Sequence, residues 1–398
     1  MLYFQPILNQ FWKNLSQVAL RDYAPTTAYE HAIAAVHKLI ISDNEQRMID
    51  LAFLNELTQD QLNAFLQNWD IERYGAQEAL LLAYVQKKWS LLDFGNYTGP
   101  RLKGLRVYYR FHNLEIMAQY RKIVSKLNEA NIIPLIIKGG AMKHLRPDLP
   151  RIMNDIDILI ADKKQFEQAV KIASDMGYVP FDYGHSVDFY KTENKKEGVL
   201  DIHRCLDDSF HNYDELNKTI LSRAKSENVF GVQTLVPRNE DLVFIQLFNL
   251  GKNLTEYSSV SGIMYIVFDL SYLTKQADFD WKIVQQNMIL ISAYWQIYLA
   301  GIFVNKTVSG LLPDLLSETG TPNMINELNK RYFYVKFVHE ARHKRKELYL
   351  WKVLLGKQSI IEYVRVKGKY QLLKHVWRSS VLLKLFFSCI KEFKKWNI

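Results

Sequence analysis

The stretch Arg151-Ile-Met-Asn-Asp-Ile-Asp-Ile-Leu-Ile160 decides the fold of the central part of the chain. Its second half is a short apolar run rich in β-branched residues, which predicts a buried strand. Asp155 and Asp157 are two residues apart in this strand, so their side chains project from the same face. Two carboxylates held together in this way repel each other, and a divalent cation between them offsets the repulsion. The stretch therefore predicts a strand that carries part of a metal site.

The segment before this strand has the features of a phosphate-binding turn. Residues 132–137 form a second short apolar run, and Lys138-Gly139-Gly140 follows it before a short predicted helix. Two glycines allow backbone N–H groups to approach a phosphate closely, and the N-terminus of a helix favours its negative charge. Lys138 would add a point charge, and Arg151 would bind phosphate oxygens with its planar guanidinium. For both residues the alternative is a salt bridge to the nearby aspartates.

The segment after the strand predicts a helix followed by antiparallel strands. Asp162 is expected to cap a helix that runs to about Met176 and ends at Gly177. A strand near residues 178–183 and a hairpin formed by residues 187–190 and 199–203 come next. Alternation of strands and helices followed by a hairpin predicts a mixed α/β sheet.

A third carboxylate lies in the last of these strands. Asp201 stands between apolar residues in Val199-Leu-Asp-Ile-His203, and it meets the Asp155–Asp157 pair if the two strands are neighbours. Three carboxylates of this kind suit Mg²⁺, or Mn²⁺ in its place, which shares oxygens with a nucleotide. The combination predicts phosphoryl or nucleotidyl transfer with two metal ions. His203 and His185 are candidates for the acceptor side of the site, and the alternative for each is a packed or loop histidine.

These residues resemble a known signature. Gly139-Gly140, Asp155-Ile-Asp157 and Asp201 between apolar neighbours are similar to the nucleotidyltransferase motifs of the polymerase-beta-type superfamily. The segments Leu135-Ile-Ile-Lys-Gly-Gly, Arg151 to Ile160 and Leu200-Asp-Ile-His-Arg resemble, in particular, the bacterial "uncharacterised nucleotidyltransferase" family, which is often found beside natural-product genes. The resemblance covers about residues 105 to 310.

The resemblance implies a site and a reaction. The residues that match Asp155 and Asp157 would bind both metals, and Asp201 would bind the catalytic metal and activate an acceptor hydroxyl. The glycine motif would hold the triphosphate of an NTP, most simply ATP, and the acceptor would be a small molecule or a peptide. Two positions depart from the pattern, because Gly140 stands where a serine is common and the segment Phe244-Ile-Gln-Leu-Phe-Asn lacks an expected histidine.

The rest of the chain is predicted to be helical. Capping boxes at Ser42 to Glu45 and at Thr58 to Gln61 mark two helix starts, and a long helix is expected from about Leu105 to Ala130. Helical periodicity returns from about Tyr213 onward. The expected fold is therefore an α/β class with a small mixed-sheet core between helical blocks. The predicted regions are 1–104 (helical), 105–212 (core), 213–330 (acceptor-side helices) and 331–398 (basic helices), and the later helices are expected at 241–250, 261–275 and 281–305.

The positive charge of the protein is concentrated at its C-terminal end. The whole chain has 51 Lys and Arg against 42 Asp and Glu, a net charge of +9. Residues 331–398 contain 17 of the basic and 4 of the acidic residues, so the remainder is slightly acidic. A basic segment interleaved with aromatic residues could bind RNA or an anionic membrane surface, or it could pack on the protein itself. Two alternative functions follow, an RNA-modifying enzyme or toxin and a non-catalytic RNA- or partner-binding module.

Other features of the sequence narrow the cellular setting. The N-terminus lacks the pattern of a secretory signal, and no apolar run is long enough to span a membrane. Cys205 and Cys389 are the only cysteines, which argues against a disulfide framework and favours a cytoplasmic protein. His339-Glu-Ala-Arg-His343, with Glu362 beyond it, fits a zinc-protease motif, but the cations that flank it argue against zinc binding.

Overall fold

The structure is a computed structural model that describes residues 37, 41–69, 76–147, 151–153, 155–182, 185–190, 199–206, 212–256, 263–291 and 294–313. All of these except His37 belong to the unit Ile40–Gly320. The basic C-terminal region, the His339–His343 motif and Glu362 lie outside the described residues, and so does the hairpin turn between residues 191 and 198.

Within the described residues, four helices precede the sheet, and two of them begin at the predicted capping boxes. The Ser42 hydroxyl accepts a hydrogen bond from the Glu45 amide, and the Glu45 carboxylate accepts one from the Ser42 amide. Thr58 and Gln61 form the same reciprocal pair. The helices are α1 (Asp43–Phe53), α2 (Gln59–Gln67), α3 (Ala76–Lys88) and α4 (Thr98–Glu129). Helix α4 starts before the predicted Leu105, because Pro100 is tolerated in a first helical turn.

Seven strands within the described residues form one mixed sheet. Numbered β1 to β7 along the chain, these strands lie side by side in the order β3-β4-β5-β2-β1-β7-β6. The pairs β2–β5 and β1–β7 are parallel, and the other neighbours are antiparallel. The predicted α/β fold with helical blocks on both sides is confirmed. The strands are β1 (Leu135–Ile136), β2 (Asp155–Leu159), β3 (Val179–Asp182), β4 (Ser186–Tyr190), β5 (Val199–His203), β6 (Lys225–Val229) and β7 (Val232–Val236), with helices α5 (Lys138–Leu145), α6 (Lys163–Asp175) and α7 (Tyr213–Arg223) between them.

The last two strands correct the prediction from the sequence. The chain after Tyr213 was expected to be helical throughout, which is wrong for the hairpin formed by β6 and β7. Phe230 and Gly231 connect these strands with φ angles of 51° and 91°. Two successive positive φ angles are typical of the tight turn that matches the twist of a β-hairpin. Alternate residues of β7 are buried, a period-two pattern that could have identified the strand.

The helices after the sheet form a second apolar block. Helix α8 contacts α9, α10 and α11. The single helix expected over residues 281–305 is in fact two helices, and both pack against α8. These helices are α8 (Asn239–Glu256), α9 (Ile263–Leu273), α10 (Trp281–Leu290) and α11 (Tyr294–Thr307).

The lengths and compositions of the helices also bear on membrane insertion. Within the described part of the chain, none of the helices combines the length and the apolar character that crossing a bilayer requires.

Removal of the buried carboxylate Asp241 should destabilise the helical block strongly. Asp241 is fully buried, accepts hydrogen bonds from Arg223 on α7, and accepts a further one of 2.8 Å from Asn287 on α10. Asp241→Ala leaves the Arg223 guanidinium without its anionic partner, with only the neutral amide oxygen of Asn287 to accept from it. We therefore expect a loss of about 3 kcal/mol in the free energy of unfolding, measured by urea denaturation.

The matched control for this prediction is an exposed ion pair. Nζ of Lys126 lies 2.7 Å from Oε2 of Glu129 on the surface of α4. Glu129→Ala should lower the free energy of unfolding by less than about 0.5 kcal/mol. Equal losses for the two variants would contradict a structural role for the buried cluster.

Candidate active site

The carboxylates predicted to form a site are brought together by the pairing of β2 with β5. The two strands are parallel, and Asp157 and Asp201 are direct partners in the register. Partners on adjacent strands project from the same face of the sheet, so the two carboxylates lie side by side. Asp157 is buried and Asp201 is half-buried, whereas Asp155 is exposed at the start of β2. The predicted neighbourhood of these strands is confirmed.

Lys138 lies among these carboxylates. Its ammonium nitrogen is 2.6 Å from Oδ1 of Asp157 and 4.0 Å from Oδ2 of Asp201. Lys138 is the first residue of α5 and has a φ angle of 49°, in the left-handed region that few non-glycine residues adopt. The turn between β1 and α5 therefore directs this side chain toward the sheet, where it forms the salt bridge that was the alternative to phosphate binding.

His203 contacts both carboxylates, although the sequence analysis did not include it among the metal ligands. Its Nε2 atom lies 2.8 Å from Oδ2 of Asp201, 3.3 Å from Oδ1 of Asp157 and 3.2 Å from the nitrogen of Lys138. The signal was available, because His203 and Asp201 are two residues apart in one strand and share a face. The ring of His185 has its centroid 6.2 Å from that of His203. Both predicted acceptor-side histidines thus lie at this end of β5.

A fourth acidic residue of the sheet was missed as well. Asp188 in β4 is the register partner of Asp201 in β5, and its side chain forms a hydrogen bond with Asp201. The prediction treated β4 only as half of a hairpin. The position of β4 beside β5 connects Asp188 with the carboxylate site only because β5 also pairs with β2.

The donor atoms of this cluster fit a divalent metal ion. Asp157, Asp201 and His203 each offer one ligand atom, and these atoms all lie within 4.8 Å of one another. Oδ1 of Asp201 and Nδ1 of His203 are buried and have no hydrogen-bond partner among the described residues. A buried carboxylate oxygen without a partner is costly unless something else binds it. The structure groups His203, rather than the exposed Asp155, with the other two.

The charges within the cluster shift the pKa values of its members. The charge on Asp157 raises the pKa of Asp155 to about 6, and partial desolvation of this carboxyl by the surrounding protein adds to the effect although the residue as a whole is exposed. Burial alone would raise the pKa of Asp157, but the Lys138 ammonium and the hydrogen bond from His203 outweigh it and hold this pKa below its usual value. The pKa of Asp201 is likewise low, because His203 and Lys138 outweigh its burial. The pKa of Lys138 is raised, since the attraction of Asp157 and Asp201 exceeds the effect of burial.

The two glycines lie in the first turn of α5, and each has a close neighbour. A Cβ atom at Gly139 would lie 3.4 Å from Nη2 of Arg151, and one at Gly140 would lie 2.8 Å from Cδ1 of Ile136. Gly139 thus leaves room beside the guanidinium, and Gly140 allows α5 to pack closely on β1. The residue before the helix, Ile137, provides no side-chain cap for the amides of the first turn.

Arg151 lies beside Gly139, but its charge is paired elsewhere. Its guanidinium donates to the fully buried carboxylate of Asp269 on α9, which also accepts a 3.2 Å hydrogen bond from Gln246 on α8. Asn113 on α4 holds the backbone on either side, by donating to the Arg151 carbonyl and accepting from the Met153 amide. The loop that leads into β2 is therefore fixed by helices from both blocks.

The comparisons with known proteins identify the family of the chain. A family model described as "Uncharacterised nucleotidyltransferase" matches residues 69–308, which is more than half of the chain and includes every strand described above. No curated protein matches the chain.

The raised pKa of Asp155 predicts that this residue destabilises the metal-free protein at neutral and alkaline pH. A folded-state pKa of about 6 means that the folded protein binds this proton more tightly than the unfolded chain does. The resulting stability is present at low pH and is lost as the pH rises through about 6. Asp155→Asn should therefore raise the melting temperature in EDTA at pH 8, by about 1–3 °C because the residue is exposed, and the gain should shrink between pH 6 and pH 4.

The control for this experiment is Asp175→Asn, which changes an exposed carboxylate at the end of α6. It should leave the melting temperature nearly unchanged at each pH. A pH-independent gain for Asp155→Asn would refute the assignment of the effect to its titration.

Proposed function

The chain belongs to the uncharacterised nucleotidyltransferase family, and we propose that it transfers a nucleoside monophosphate, most simply AMP from ATP, to a hydroxyl or carboxylate oxygen of an acceptor. Pyrophosphate is the second product. The acceptor is a small molecule or a peptide.

One observation carries this proposal. Asp157 and Asp201 are register partners on adjacent parallel strands, and the start of α5 lies beside them through the salt bridge of Lys138. A pair of carboxylates next to the first turn of a helix is the arrangement that nucleotide chemistry requires, because the carboxylates hold metal and the amides favour phosphate.

The residues divide the reaction between them. The first-turn amides at Gly139 and Gly140 hold the triphosphate, and Arg151 lines this position. An acceptor oxygen attacks the α-phosphorus, the bond from that phosphorus to the bridging oxygen breaks, and pyrophosphate leaves with the bonding electrons. Asp201, whose Oδ1 has no hydrogen-bond partner among the described residues, accepts the proton of an acceptor hydroxyl.

The donor set specifies the cofactor of this proposal. Asp155, Asp157 and Asp201, with His203 as a further ligand, would hold Mg²⁺ or Mn²⁺, which screens the phosphate charge and activates the acceptor oxygen when bound. Carboxylate oxygens suit either ion, and the imidazole of His203 favours Mn²⁺ over Mg²⁺.

The acceptor is expected on the side of the helices that follow the sheet. Gln246 occupies the segment in which the family resemblance led us to expect a histidine, and it supports Asp269, which in turn holds Arg151. The helices α8 and α9 therefore reach the wall of the nucleotide site. We also propose a cytoplasmic location, which is supported by the buried thiol of Cys205, since this thiol forms no disulfide among the described residues.

The basic C-terminal region supports an RNA acceptor as the second candidate. Residues 331–398 contain 17 basic and 4 acidic residues. This positive charge favours the binding of a polyanion such as RNA. Incubation of the protein with labelled NTPs, Mg²⁺ and separate pools of metabolites, peptides and RNA distinguishes the acceptors. Tight RNA binding without pyrophosphate release would instead favour a non-catalytic module.

Loss of Asp157 should abolish nucleotide transfer. Asp157→Asn removes one negative charge from the centre of the cluster, and the lost metal binding should lower the rate of pyrophosphate release at least about 100-fold. The measurement is the release of pyrophosphate with the best NTP and acceptor, on protein whose folding is checked by circular dichroism.

Asp175→Asn is again the matched control, since it changes an exposed carboxylate and should retain full activity. Undiminished transfer by Asp157→Asn would exclude the proposed site. Loss of activity in both variants would show that the effect is not specific to the carboxylate cluster.

A further inference from the structure

The side chain of Lys138 approaches each member of the metal-ligand cluster formed by Asp157, Asp201 and His203. Its nitrogen lies 2.6 Å from Oδ1 of Asp157, 3.2 Å from Nε2 of His203 and 4.0 Å from Oδ2 of Asp201. These residues are the ones whose ligand atoms lie within 4.8 Å of one another. We propose that Lys138 is an exchangeable counter-cation, which neutralises the carboxylates in the metal-free protein and is displaced when a divalent metal binds.

The position of the ammonium follows from the backbone. The Ile137 amide donates a 3.1 Å hydrogen bond to the Asp157 carbonyl, which ties the end of β1 to β2 beside the carboxylate. Lys138 comes next, and its left-handed φ of 49° turns the side chain into the cluster. Such a conformation is unfavourable for a non-glycine residue, so the surrounding contacts must hold it in place.

The carboxylates require a cation in the absence of metal. Asp157 and Asp201 are adjacent, Asp188 is the partner of Asp201 on β4, and Asp155 precedes Asp157 by two residues on β2. Adjacent buried carboxylates repel each other strongly at low dielectric. Arg151, which the sequence offered as a second permanent positive charge at this site, is bound to Asp269 instead. Lys138 is thus the cation that the structure provides for Asp157.

A metal ion and the ammonium cannot use the same ligand atoms together. Two cations a few ångströms apart repel each other, so the metal must displace the lysine or bind more weakly beside it. The side chain of Lys138 is 21% exposed, which leaves its flexible stem a path to solvent. Gly139 and Gly140 follow it directly, so a displaced ammonium remains beside the proposed phosphate position. This inference rests on the proposed metal-dependent function.

Metal affinity tests the exchange directly and without catalysis. In the full chain freed of metal, Lys138→Met should bind Mn²⁺ at least tenfold more tightly than the wild type, measured by isothermal titration calorimetry with Mn²⁺ alone. Its melting temperature in EDTA should fall below that of the wild type, because the carboxylates then lack a counter-charge. Addition of Mn²⁺ should raise this melting temperature more than it raises that of the wild type.

Two further variants serve as controls. Lys143→Met changes another buried lysine of α5, whose ammonium donates a 2.7 Å hydrogen bond to the Pro147 carbonyl. Its Mn²⁺ affinity should equal that of the wild type. Lys138→Arg keeps the positive charge and should not gain affinity. If Lys138→Met does not fold, Lys138→Gln replaces it, because an amide removes the charge and can still donate to Asp157.

The outcomes separate this inference from the proposed function. Wild-type protein that binds Mn²⁺, with unchanged or weaker binding by the neutral Lys138 variants, would overturn the exchange and leave the metal-dependent function intact. A wild type and variants that all fail to bind Mn²⁺ would overturn both. Tighter binding by the neutral variants alone supports the exchange even if no acceptor has been found.

Discussion

The register of β2 against β5 is the constraint on which the site depends. It places Asp157 directly beside Asp201, and two adjacent carboxylates require a positive charge. Lys138 supplies that charge in the structure, at 2.6 Å from Asp157. A shift of one residue in the pairing would turn one of the carboxylates to the other face of the sheet. The ammonium of Lys138 would then no longer face two adjacent carboxylates. The pairing of the strands and the charge balance of the site therefore depend on each other.

The two basic residues near the proposed nucleotide position have different partners. Lys138 pairs with the carboxylates of the sheet, whereas Arg151 pairs with the buried Asp269 of the helical block. Asn113 holds the backbone of the Arg151 loop from the opposite side. The start of β2 is therefore anchored by helices that precede and follow the sheet. A catalytic carboxylate is useful only when its position is fixed, and these buried polar contacts provide the support.

The site also explains a conflict between stability and function. The charge of the nearby Asp157 raises the pKa of Asp155 to about 6. Oδ1 of Asp201 is buried without a hydrogen-bond partner in the described part of the chain. Neither feature stabilises the metal-free fold. Local violations of this kind are expected at functional sites, where residues are arranged for a ligand rather than for the fold alone.

The sequence by itself determined the capping boxes, the strand with Asp155 and Asp157, and the second strand with Asp201, because hydrophobic period and capping are local signals. It also predicted the family. It did not predict β6 and β7, whose turn depends on the φ angle of Phe230, or the roles of His203 and Asp188. Only the tertiary structure decided which partner each charge takes. Lys138 and Arg151 are equally suited to bind phosphate in the sequence, and the pairing of strands and helices, which joins residues far apart in the chain, assigned one to Asp157 and the other to Asp269.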